Sequence, residues 1–178
     1  SSRRQRQMCI RDSTTPKEII PAVIAGIENW NIAFEEAGFI NAVIAKIQPE
    51  DAEWDAADYD YNVVRWSSEP DGNLLGIGPS VSNPLTGEII SADVVNKLLA
   101  IKLGYNYRKL YGYTEDNDPL MQYITNLTLH EVGHVLGLRH NFRGSYLYSP
   151  DEIHDKNITG NVLMLSLIHI SEPTRQPI

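Results

Sequence analysis

The sequence predicts an α+β fold, and three observations carry that prediction. Apolar residues recur at helical spacing in two separated stretches, residues 15–37 and 118–136. Between them lie short runs rich in Val, Ile and aromatic residues, each bounded by Pro, Asp or Gly clusters, as buried strands are. The chain has 178 residues, 42% of them hydrophobic, which suits one domain. A domain of that size buries roughly two thirds of the surface its unfolded form exposes, so stability requires neither disulfides nor a partner subunit.

The elements follow in order. Thr15-Pro16-Lys17-Glu18 has capping-box spacing, with Pro16 suited to the first helical position and Glu18 placed to reach back to Thr15. A helix is expected to start there or at Pro21. Ile20, Val23, Ile24, Ile27, Trp30, Ile32 and Phe34 continue it as one long amphipathic helix, and Gly38 supplies a left-handed stop. Residues 41–47 and 61–67 read as buried strands. The acidic stretch 49–60 between them lacks EF-hand spacing and reads as a solvated connection. Residues 74–82 contain Gly76, Gly78 and Pro79, which weaken a central strand and are at home on an edge. Asn83-Pro84-Leu85-Thr86-Gly87 is a turn signal, so the extended residues 88–95 are expected to run back antiparallel to 74–82. Residues 97–110 read as a helix weakened by Gly104. Asp118-Pro119 then opens the last helix, with Leu120, Tyr123, Ile124, Leu127, Val132, Val135 and Leu136 on its buried side and Gly137 at its end.

Charge and cysteine usage exclude several functions. Fifteen Lys and Arg stand against 23 Asp and Glu, a formal charge of −8. Nucleic-acid binders need a basic face to displace counterions, so no nucleic-acid partner is expected. The longest apolar run, 162–170, is interrupted by Ser166 and His169 and falls well short of the roughly 20 residues of a bilayer-spanning helix. No membrane span is expected. Cys9 is the sole cysteine, which excludes a disulfide framework and every Cys-based zinc ribbon.

Both ends differ from the middle. In residues 1–13, Arg3, Arg4, Arg6 and Arg11 stand against Asp12 alone. This stretch and the terminal LSLIHISEPTRQPI resemble translated sequencing-adapter read-through. The expected organisation is a non-native leader at 1–13, a central segment at 14–164 and a non-native tail at 165–178. Cys9 and His169 carry no chemistry on that reading.

The chemistry is concentrated in the last helix. His130-Glu131-Val132-Gly133-His134 continues through Val135-Leu136-Gly137-Leu138-Arg139-His140, fitting H-E-x-x-H-x-x-G-x-x-H. Helical residues four apart share a face, so the imidazoles of His130 and His134 can converge on one ion. Glu131 is offset by one residue, which sets its carboxylate beside the ligand face and suits a general base. Gly137 can adopt positive φ and let the chain leave the helix sharply, bringing His140 round as a third nitrogen ligand. Three nitrogen ligands leave one position open, the arrangement of catalytic zinc, whereas structural zinc sites are closed by four protein ligands. Zn2+ would lower the pKa of water and polarise a carbonyl, so that attack on an amide becomes feasible at neutral pH. A single His, or an i, i+4 pair alone, would read as a hydrogen-bonded surface feature; Glu131, Gly137 and His140 together reverse that reading. His154, alone in a loop, reads as solvated; a rival reading is a purely structural zinc site with His154 or a carboxylate as fourth ligand.

At this string the sequence resembles the metzincin metalloproteases, and more narrowly the EcxA-like zinc-dependent metalloproteases. The supporting stretches are AGIENWNIAFEEAGF, YNVVRWSS, GPSVSNPLTGEIISADVV and HEVGHVLGLRHNFRGS. The resemblance implies a metzincin-like twisted mixed β-sheet with a backing helix and an active-site helix, residues 14–164 being a catalytic-domain fragment truncated at both ends. It further implies that residues 74–82 bind extended substrate by strand addition, and that a Met-containing turn lies beneath the metal. Met164 is the nearest candidate for that turn, with Leu163 intervening where the family has Val followed directly by Met. The family's first strand, ahead of the long helix, is expected to be missing.

The sequence therefore points to a zinc metalloendopeptidase with a zinc-activated water, His130, His134 and His140 as metal ligands, Glu131 as general base and polypeptide as substrate. The alternative is a catalytically incompetent domain fragment that binds metal and peptide. An extracytoplasmic location is implied by the resemblance alone, and the sequence leaves the oligomeric state open.

Overall fold

A computed structural model describes residues 6–10, 14–55, 58–68, 75–114, 118–141, 143, 146–155 and 157. The chain divides into two compact units, Ser1–Gly137 and Leu138–Ile178. The expected tail at 165–178, His169 and Met164 lie outside the described residues.

The first unit is a mixed sheet packed with helices, in the order β1 (Arg6–Ile10), α1 (Ile20–Glu28), α2 (Trp30–Glu36), β2 (Val43–Ile47), β3 (Asn62–Ser67), β4 (Gly76–Ile77), β5 (Ser80–Ser82), β6 (Ile89–Lys97), α3 (Leu98–Tyr111) and α4 (Pro119–Val135). Among the described residues the sheet has six strands, ordered β2-β1-β3-β6-β4, with β5 also on β6. The pairs β1–β2, β1–β3 and β3–β6 are parallel, whereas β4 and β5 run antiparallel to β6. This is the α+β class expected, and it is consistent with the metzincin-like sheet.

Alternation explains which face is covered. Along β6, Ala92, Val94 and Asn96 are buried while their neighbours are only partly so, the period-2 pattern of a strand with one face on a core. Met8, Ile10, Val64 and Val94 from the sheet join Val23, Ile27, Ile124 and Val132 from the helices in one apolar cluster. Fully burying such a side chain contributes about 1.5–3 kcal/mol, so this layer dominates the stability of the unit. The turn before β6 forms as expected: the Gly87 N–H donates to the Asn83 carbonyl at 2.8 Å, and Gly87 has φ +71°.

Three expectations need correction. The box at Thr15–Glu18 is not made: the short 3-10 helix Lys17–Ile19 has no side-chain cap, and Glu18 instead accepts from Arg108 at 2.8 Å and from the Tyr105 hydroxyl. The single long helix is two, meeting at Asn29, where the Ile32 N–H donates to the Asn29 carbonyl at 3.2 Å in a tightened i to i+3 turn. Beyond that break Asn31 clamps Val43 with two bonds, donating to its carbonyl at 2.8 Å and accepting from its N–H at 3.0 Å. Finally, a strand does precede the first helix. It is β1, inside the stretch set aside as a leader, and it lies between β2 and β3 with Met8 and Ile10 buried.

In the second unit, Ser149 and Glu152 open the short 3-10 helix Glu152–His154 with reciprocal bonds of 2.8 and 3.3 Å between side chain and backbone N–H. No helix among the described residues is long and apolar enough to cross a membrane.

Candidate metal centre

Helix α4 is fixed at its start and along its side. The Asp118 carboxylate accepts from the Leu120 N–H at 3.0 Å, as an N-cap does, and is gripped by Arg108 at 3.0 and 2.5 Å. Along the side, α1 approaches to backbone contact: a β-carbon added at Gly26 would stand 2.6 Å from Thr128 Cβ and 2.7 Å from the Thr125 carbonyl oxygen. The Thr125 hydroxyl donates to the Ala22 carbonyl at 3.2 Å, and the Trp30 indole N–H to the Leu129 carbonyl at 2.9 Å. The Leu129 peptide leads directly into His130. Hence the residues that dock α4 also set the position of its chemistry.

The string starts at buried residues and ends at an exposed one, His140. His130 and Glu131 are each only 5% exposed. One helical turn brings the His130 and His134 Nε2 atoms to 3.0 Å of each other. Gly137, with φ +92°, ends the helix as its position in the sequence predicts. His130, His134 and His140 each offer one ring nitrogen, and these nitrogens all lie within 4.8 Å of one another. Two Zn–N bonds of about 2.0–2.1 Å at a tetrahedral angle separate their nitrogens by about 3.3–3.4 Å. The observed His130–His134 pair is a few tenths of an ångström tighter than that. An all-imidazole donor set suits zinc among the common divalent ions, so the residues present fit the metal.

Glu131 is the one carboxylate built into this turn, and burial pushes its pKa up to about 7. Two glycines of the β4 segment make room for it. A β-carbon at Gly76 would fall 2.7 Å from Glu131 Oε1, and Gly78 lies against the Glu131 backbone. Sequence reasoning treated these glycines as marks of a strand edge, whereas they are also the clearance for the acid. It missed Asn96, which is fully buried beside the same notch. The available signal was a polar residue at an inward position of an otherwise apolar alternation. The backbone of His154 lies in the 3-10 helix of the second unit.

Comparison with known proteins bears on this stretch. Residues 113–163, which contain the whole histidine string, match the family described as Met-zincin. No curated protein and no solved structure matches the chain. The match and the three histidines together support a zinc metallopeptidase-like function in general.

Proposed function

We propose, from a Met-zincin stretch that gathers three imidazoles, that this chain carries the centre of a zinc-dependent metalloendopeptidase. His130, His134 and His140 are the zinc ligands, Glu131 is the general base, and the substrate is a polypeptide. The observation that carries the reading is three ring nitrogens within 4.8 Å of one another, with a buried carboxylate one residue along from the first. A zinc ion held there supplies Lewis acidity, which polarises a carbonyl and makes water nucleophilic near neutral pH.

The chain's own groups do the rest. Glu131 accepts a proton from the attacking water and delivers it to the leaving amine. Burial raises the pKa of this carboxyl, the direction that strengthens it as a base. The short strands β4 and β5, antiparallel to β6, would receive an extended peptide by strand addition. An extracytoplasmic location belongs to the proposal through family resemblance alone.

The test is Glu131→Gln. Zinc content should stay stoichiometric while cleavage of a fluorescence-quenched peptide pool falls by about 100-fold or more, and a chelator should abolish cleavage by the unaltered protein. Undiminished cleavage by Glu131→Gln would remove Glu131 from the chemistry. If the unaltered zinc-loaded protein shows no chelator-sensitive cleavage of any pool, the site is one of metal and peptide binding only.

A further inference from the structure

Asn96 is fully buried on β6, and neither polar atom of its side chain has a hydrogen-bond partner among the described residues. Buried amides are almost always satisfied, so a partner is called for. Asn96 shares the inward face of β6 with Ala92 and Val94, and its register partner on β4 is Gly76. A β-carbon at Gly76 would stand 2.8 Å from Asn96 Oδ1 and 2.7 Å from Glu131 Oε1. Amide and carboxylate therefore both crowd one point, which only a residue without a side chain leaves clear. Two acceptor oxygens face that point. Turning the amide about its last torsion exchanges Oδ1 for Nδ2 in nearly the same volume and sets a donor opposite the carboxylate.

We infer that Asn96 is the positioning residue of Glu131: its side-chain amide donates to the carboxylate across the Gly76 notch and fixes the direction in which that carboxylate is presented beside His130. Asn96 acts through Glu131 and touches no reacting atom. A carboxylate only 5% exposed has little water to orient it, and a charge-assisted bond from a rigid strand supplies the constraint instead. The consequence for turnover rests on Glu131 being the general base; the contact itself does not.

The experiment is difference infrared spectroscopy on the zinc-loaded protein, with the Glu131 bands isolated by subtracting the spectrum of Glu131→Gln. Asn96→Leu removes the donor at similar volume, and Gly76→Ala keeps the donor but drives a methyl group against both partners. Both are expected to shift the Glu131 carboxylate stretch or replace it by a protonated-carboxyl band, and to lower kcat by about tenfold with KM little changed. Unshifted Glu131 bands in the folded variants overturn the inference, whatever the cleavage assays show. Shifted bands in a protein that never cleaves peptide uphold the contact and sink the enzyme reading. Should either variant fail to fold, the side-chain amide NMR signal of Asn96 decides: it moves on Glu131→Gln if the contact exists and stays if it does not.

Discussion

Asp118 shows how a single side chain can serve two purposes. It caps α4 through the Leu120 N–H and anchors Arg108, and the Arg108 guanidinium holds its carboxyl below the ordinary 3.8, with help from the capping bond. A depressed carboxyl contributes stability that is present above the unfolded pKa and lost as pH falls through the lower folded value. Asp118→Ala is therefore expected to cost about 1–2 kcal/mol at pH 7. Urea denaturation should show the gap narrowing once the pH drops below 3.8. At this scale the cluster of His130, His134 and His140 was legible because its members have the spacing that metal ligation would impose along a helix. Glu18 was not: its spacing from Thr15 suggests a local cap, but Arg108 and Tyr105, some 90 residues away in sequence, compete for it and win. Asn96 belongs with Glu18, since its significance comes from a strand pairing that brings Gly76 opposite it.

Between elements, the contact of α1 with α4 sets the position of the turn that leads into His130. Gly26→Ala would gain about 1 kcal/mol in helix propensity. The added methyl, however, would meet Thr128 Cβ at 2.6 Å, the Thr125 carbonyl oxygen at 2.7 Å and the Leu129 nitrogen at 3.0 Å. Backbone atoms cannot swing aside as a flexible side chain can, and overpacking of this kind costs about 1–3 kcal/mol. The expected outcome is a net loss of stability in chemical denaturation. Zinc affinity, measured by competition with a chromophoric chelator, should also weaken because the displaced turn leads into His130. Helix and strand types were readable here from periodicity, down to the Asp118 start and Gly137 end of α4. The division at Asn29 was not, because apolar residues keep near-helical spacing through it. The break is settled instead by what lies beyond it, the Trp30 bond to Leu129 and the Asn31 clamp on Val43.

For the whole molecule the decisive strand is β1. Its alternation of Gln7, Met8, Cys9 and Ile10 is that of a half-buried strand, yet its basic flanks and adapter-like wording argued for setting residues 1–13 aside. Parallel pairing is non-local, and nothing near β1 in the sequence announces that Val43–Ile47 and Asn62–Val64 will close around it. Deleting residues 1–13 separates β2 from β3 and uncovers the apolar surface now packed on Met8 and Ile10. The shortened chain is expected to lose its cooperative thermal transition in circular dichroism; a melt identical to that of the full chain would show that β1 carries no weight in the sheet. The tie between Trp30 and the Leu129 peptide has an optical side. An indole anchored to the turn that precedes the first imidazole is a native fluorophore, so with Trp54 and Trp66 replaced by Phe its emission gauges any ion or peptide that disturbs that turn.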